Sequence, residues 1–150
     1  SGLLKTYSLQ QAEKLSKKNK KPMFIIMSVS WCNSCQVLEK ITLRNPATVQ
    51  RLNRDFYTVR FDAASRDAQK FLGQTFEAGQ QAGHPHQLTR ALLKKSFLFP
   101  AFVAVNSENQ IITELHGYLH SSQLSDILEY YTDNTYKKMS YQDFIKQKTD

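Results

Sequence analysis

The sequence predicts an α/β fold in which a central mixed β-sheet is flanked by helices, and three observations carry that prediction. A continuous apolar run, Met23-Phe24-Ile25-Ile26-Met27, leads directly into apolar residues at helical spacing, Val37, Leu38 and Ile41. A second β-rich run, Phe56 to Asp62, follows a further helix. Phe99-Pro100 then opens two strand-like runs around a polar turn, and an amphipathic segment closes the series. Strands alternating with helices build sheets covered on both faces, and a hairpin adds antiparallel pairing.

Length and composition bound the rest. A chain of 150 residues fits one domain, 1–150, able to bury about two-thirds of the surface of its unfolded form. Its composition, 41% hydrophobic and 22% charged, is that of an ordinary globular protein. No apolar run approaches the ~18 residues of a membrane-crossing helix, so no membrane span is expected. The formal charge of +7, from 20 Lys plus Arg against 13 Asp plus Glu, leaves anionic partners open. That excess is scattered, apart from Lys17, Lys18, Lys20 and Lys21, and reads as a solvated surface, so no nucleic-acid partner is expected. The opening Ser1-Gly2 fits a chain from which an export signal has been trimmed.

Taken in order, Ser8 is an N-cap for a helix carrying Leu9, Ala12 and Leu15 on one face. Pro22 to Val29 is apolar enough for a strand buried on both faces. After the next helix, Asn45-Pro46 is an N-cap followed by proline at the first helical position, with Val49 and Leu52 turned inward. Phe56, Tyr57, Val59 and Phe61 form the second strand. The connection from about 63 to 96 is long: Phe71-Leu72 marks a short helical or strand piece, and Leu88, Ala91 and Leu92 mark a helix beginning near Pro85. A connection of this length in a compact domain is more often functional than structureless. Ala101 to Val105 and Gln110 to Leu115 make the hairpin. Ser121 or Ser122 caps a helix with Leu124, Ile127, Leu128 and Tyr131 on one face. Ser140-Tyr141-Gln142-Asp143 resembles a capping box and begins a last helix that docks through Tyr141, Phe144 and Ile145. Tyr130, Tyr131, Tyr136 and Tyr141 read as packing of these C-terminal helices.

The chemistry sits in Ser30-Trp31-Cys32-Asn33-Ser34-Cys35, which holds both cysteines of the chain. Cys32 falls where a strand hands over to a helix N-terminus. Unpaired backbone N–H groups and about half a positive charge there favour a thiolate and lower a thiol pKa from about 8.5 toward neutrality. The pair reads as a dithiol/disulfide couple. Its rival is half of a zinc site completed by His84, His86, His116 and His120. Structural zinc sites usually take their second pair at similarly tight spacing, and they do not require a Trp-Cys step emerging from a buried strand with a proline later opposite.

Trp-Cys-x-x-Cys after a buried strand, with an aromatic-Pro step opening an antiparallel hairpin and a final helix, resembles the thioredoxin-like superfamily. The resemblance covers roughly Ser8 to Thr132 and treats 63–96 as an insertion and 133–150 as a C-terminal extension. It is nearest to small exported bacterial proteins with a Lys-Pro strand, a His-containing insertion and a Phe-Pro step, here Lys21-Pro22, His84-Pro85-His86 and Phe99-Pro100. What it implies is thiol–disulfide exchange on protein disulfides, more reductase than oxidase. Cys32 would attack, Cys35 would resolve, and Pro100 would be a cis-proline facing them, with Phe99 offering its backbone to an extended substrate. Trp31 would be a partly exposed ring giving substrate an apolar surface. The implied partners are disulfide-containing protein substrates and an upstream dithiol donor. The implied protein is a monomer needing no metal or organic cofactor and working in the periplasm or another extracytoplasmic space, with the cytoplasm as the alternative.

The sequence departs from the thioredoxin pattern where many members carry a buried Asp, six residues before the first cysteine; Ile26 stands there. The proton of Cys35 then needs another acceptor. Glu39, one turn on, is a candidate, against the plainer reading of a solvated carboxylate. His84-Pro85-His86 reads as a helix cap before it reads as a site, and the insertion is expected to border the active face. A non-catalytic binding module with a vestigial dithiol is the alternative function.

Overall fold

The computed structural model describes residues 3–149, so Ser1-Gly2, on which the expectation of an export signal rested, lies outside the described residues. Among the described residues, six strands and seven helices follow in chain order. Helix α1 (Leu9–Asn19) is closed at its start by a capping box in which Ser8 and Gln11 satisfy each other's backbone N–H. Strand β1 (Met23–Ser28) follows, then α2 (Asn33–Lys40), a 3₁₀ turn (Thr42–Arg44) and α3 (Pro46–Asp55), whose Asn45 cap accepts from Thr48 N–H. Next come β2 (Tyr57–Asp62), the small hairpin β3 (Gln69–Phe71) and β4 (Gln74–Phe76), and α4 (Gln87–Leu92). The chain ends with β5 (Ala101–Val105), β6 (Ile111–His116), α5 (Ser121–Tyr130), α6 (Thr135–Lys138) and α7 (Tyr141–Thr149).

The main sheet runs β2-β1-β5-β6, with β1 parallel to β2 and antiparallel to β5, and with β6 antiparallel at one edge. It is therefore mixed. The period of two in β1 and β5 sends alternate side chains into two cores. Met23, Ile25, Met27, Ala101, Val103 and Val105 meet α1 and α4 through Leu9, Ala12, Leu88 and Leu92. On the other face, Phe24, Ile26, Phe102 and Ala104 meet Leu38, Leu52, Leu124 and Leu128 of α2, α3 and α5. A strand apolar at every position is what two covered faces demand, and each fully buried large side chain is worth about 1.5–3 kcal/mol relative to exposure. This double burial holds the C-terminal end of β1 rigid where the cysteine turn begins.

Several elements differ from the sequence reading. Val37 of α2 and Ile41, its C-cap, are 41% and 63% exposed; only Leu38 of that trio is buried. The N-cap of α5 is His120, whose N–H is satisfied by Gln123, so neither Ser121 nor Ser122 holds that place. Phe71-Leu72 belongs to the β3–β4 hairpin, where Leu72 and Gly73 both take positive φ, 52° and 78°, as a two-residue hairpin turn requires. Leu72 N–H donates to Glu13 Oε1 at 2.7 Å, which ties the hairpin to α1. Just past the long connection, Phe99 reaches the cysteine turn, its carbonyl oxygen 3.6 Å from Cys32 Sγ.

At the C-terminus, Tyr130 packs edge-on against Tyr131 and Tyr141, while Phe144 is buried. Ser140 caps α7 through Asp143 N–H. Among the described residues no helix is long and apolar enough to cross a membrane.

Candidate active site

Each cysteine owes its place to local backbone chemistry. The chain leaves β1 through a turn in which Cys32 N–H donates to Val29 O, and Cys32 then takes an extended conformation as the N-cap of α2. Its sulfur accepts the N–H of Cys35 at 3.2 Å, the role that Ser or Asp usually fills at a cap. A sulfur used as a cap sits among free backbone N–H groups at the positive end of the helix dipole. Cys35, one turn in, is 4% exposed, while Cys32 is half-buried. The two form a disulfide with Cα atoms 5.3 Å apart.

The peptide bond between Phe99 and Pro100 is cis. It brings Phe99 O to 3.6 Å from Cys32 Sγ, although the residues are far apart in sequence. Ser34 Oγ lies 3.3 Å from the same sulfur and 3.5 Å from the same carbonyl, so its hydroxyl faces both. Pro100 is buried and Phe99 half-buried. Trp31 is 63% exposed beside the disulfide, and Phe97 and Leu98, just upstream of Phe99, are 45% and 61% exposed. Trp31, Cys32, Cys35, Phe99 and Pro100 thus converge on one end of the sheet. Ser34 joins them without having been singled out from the sequence, and the exposed Phe97 and Leu98 lie just upstream of Phe99; the run of three apolar residues before Pro100 was the available signal.

Ile26 is 2% exposed within the α2-facing core. Beside it in register on β2 stands Arg60, whose guanidinium grips Glu39 through both carboxylate oxygens at 2.9–3.1 Å. Glu39 lines an open cleft of about 370 Å³ with Cys35, Ser28 and Asp62. Asp62 comes from the end of β2, in register with Ser28, and its Oδ1 accepts Ala64 N–H. Two carboxylates therefore share the cleft beside the buried cysteine, and Arg60 engages one of them.

The histidines are not gathered around the cysteines. His86 is fully buried; its Nδ1 accepts Leu88 N–H and so caps α4, and its Nε2 lies 2.8 Å from Asp67 O. His116 bridges Leu98 O and Glu114. Among the described residues no group of three or more His, Cys, Asp or Glu is placed to hold a metal ion.

A cysteine pair capping the helix after the central strand, opposite a cis-proline loop, defines the class of thioredoxin-fold proteins with a Cys-x-x-Cys pair. The chain belongs to the thioredoxin-like family, whose model matches residues 5–106. Among solved structures it is similar to a thioredoxin-fold protein from Helicobacter pylori, at 20% identity and TM-score 0.68, covering 87% of this chain and 86% of that one. It is also similar to a protein described as DsbH oxidoreductase, at 17% identity and TM-score 0.62, covering 86% and 85%. At these identities the likeness is one of fold. An uncharacterized protein of Caenorhabditis elegans is 37% identical over 57 residues, which are 38% of this chain and 8% of that protein. This chain thus spans less than a tenth of that relative.

Proposed function

We propose that the protein exchanges thiols and disulfides with protein substrates and works as a reductase. The observation that carries the reading is the Cys32–Cys35 pair at a helix start, with Phe99 O 3.6 Å from the outer sulfur. The Cys32 thiolate attacks one sulfur of a substrate disulfide, forming a mixed disulfide and expelling the other sulfur as a thiolate that takes up a proton. Cys35 then loses its proton, and its thiolate attacks Cys32 Sγ. The mixed disulfide breaks, the second substrate sulfur leaves as a thiolate, and the Cys32–Cys35 bond forms. Two electrons have passed to the substrate, and an upstream dithiol must return them.

The surroundings support this division. Cys32 has the N–H groups, the partial exposure and the neighbouring apolar surface of Trp31, Phe97 and Leu98. Phe99, preceding the cis bond, presents backbone to an extended segment in the manner of strand addition. Cys35 gives its proton into the cleft it shares with Glu39 and Asp62; Asp62 is the better acceptor, because Arg60 already holds both oxygens of Glu39. A reductase direction is supported by the groups around Cys32 Sγ, one backbone N–H and the Ser34 hydroxyl oxygen, where a strong oxidant would need a cation such as an imidazolium to stabilise the thiolate. An extracytoplasmic setting is part of the proposal.

The test is insulin reduction with dithiothreitol as donor. Wild type should accelerate it, Cys32→Ser should abolish turnover, and Cys35→Ser should accumulate the mixed disulfide. No acceleration with any dithiol donor would instead favour a binding module. An equilibrium potential of the pair near or above about −130 mV would reverse the assigned direction.

A further inference from the structure

We propose that Glu114 and His116, on the edge strand β6, are positioning residues that latch Lys94 to Leu98 and so hold the Phe99–Pro100 loop in the shape that receives an extended protein substrate, and that the latch requires doubly protonated His116. The inference rests on the thiol–disulfide reading above and adds residues that reading does not use.

The bonds are short and sheltered. The side chains of Glu114 and His116 are 6% and 12% exposed. Glu114 Oε1 accepts Lys94 N–H at 2.9 Å, and Oε2 accepts Lys95 N–H at 2.8 Å and lies 2.7 Å from His116 Nε2. His116 Nδ1 lies 2.9 Å from Leu98 O. Every side chain from Lys94 to Leu98 is exposed, so burial does not anchor this stretch. Its only other hydrogen bond among the described residues is local, from Leu98 N–H to Ser96 Oγ. The latch is therefore what joins the stretch to the sheet before Pro100, whose own carbonyl accepts Gly117 N–H at 2.8 Å.

The protonation state follows from the acceptors. A neutral imidazole carries one N–H and one lone pair. Here both ring nitrogens face oxygens that accept, a carbonyl and a carboxylate. Burial pushes the Glu114 carboxyl up, but the hydrogen bond from His116, the N–H groups of Lys94 and Lys95 and the charge of His116 together bring it below its ordinary range. Each Glu114 oxygen already accepts a backbone N–H, which fits a carboxylate that only accepts and, opposite it and Leu98 O, a ring that donates from both nitrogens. Other charge around the pair is sparse. Opposite them, β5 offers Val103 and Ala101; Arg90 of α4 forms no ion pair among the described residues; and the Lys94 and Lys95 side chains are exposed. When His116 loses a proton, one of its two bonds goes and the stretch is held at fewer points.

The experiment mixes reduced protein with insulin or with hydroxyethyl disulfide and follows thiol loss after alkylation quenching, across pH. The small disulfide needs no strand-like docking, so the ratio of the two rate constants isolates the loop. Glu114→Gln and His116→Gln should each lower that ratio about tenfold, or about 1.4 kcal/mol. In wild type the ratio should fall with rising pH over the range in which ¹⁵N spectra show His116 losing its second ring proton, and in His116→Gln it should not respond there. A folded His116→Gln with an unchanged ratio, or a wild-type ratio that ignores the His116 titration, overturns the latch. A wild type inactive on both disulfides overturns the thiol–disulfide reading and takes the latch with it.

Discussion

Glu114→Gln keeps the outline of the side chain and removes its charge, and the local geometry sets what that costs in stability. The carboxylate accepts three N–H groups at 2.7–2.9 Å in a site 6% exposed. Gln offers one carbonyl oxygen and turns an NH₂ group toward donors it cannot satisfy. A hydrogen bond to a charged group is worth about 1.5–3 kcal/mol, and removing one partner of a buried pair costs about 3–5 kcal/mol. With part of the bonding retained, the loss at neutral pH should be about 3 kcal/mol, or about 6–12 °C in Tm for a chain of this size. The dependence on pH has a definite sign. The folded-state carboxyl titrates below its unfolded value of about 4.3, so its stabilisation is fully present above that value and is lost as pH falls through the folded value. Urea unfolding of both proteins at about pH 7 and about pH 3 should show the gap shrinking in acid. A gap that is equal at both pH values, or below about 1 kcal/mol at neutral pH, would refute the assignment of Glu114 as a buried anionic acceptor.

Three further outcomes can be checked. Thr58 is 1% exposed and its hydroxyl has no partner among the described residues, so Thr58→Val should stabilise the protein by about 1 kcal/mol in thermal unfolding; a loss would show that the hydroxyl serves a buried water. Asp62→Asn should slow the Cys35 step about tenfold or more in quench-flow of the mixed disulfide, with Glu39→Gln the milder of the two; the reverse order would return the proton to Glu39. Trp31→Ala, at a site 63% exposed, should change stability by less than about 0.5 kcal/mol while lowering the insulin rate, and an unchanged insulin rate would remove Trp31 from the docking surface.

Local signals carried much of this protein. The apolar run Met23 to Met27 announced a strand buried on both faces because a period of two between two cores leaves no polar position, and the Ser8 and Asn45-Pro46 signals placed the starts of α1 and α3 within single residues. Where local rules were applied to residues whose partners lie elsewhere, they failed. Val37 and Ile41 have helical spacing with Leu38 yet face solvent, because α2 is a short helix with one narrow buried stripe. His120 caps α5 although Ser121 and Ser122 are the better capping types, since the chain's exit from β6 decides where that helix begins.

For the site, the sequence by itself determined the reactive pair: two cysteines one turn apart after a buried strand are confined to a helix start by backbone geometry alone. Tertiary structure decided everything that surrounds them. That Phe99 O approaches Cys32, that Asp62 shares a cleft with Cys35 while Arg60 occupies Glu39, and that Glu114 and His116 reach back to Lys94, Lys95 and Leu98 all depend on strands brought side by side from distant parts of the chain. Spacing encodes contacts within a helix turn, whereas contacts between strands are set by register, and register emerges only when both faces of the sheet are packed.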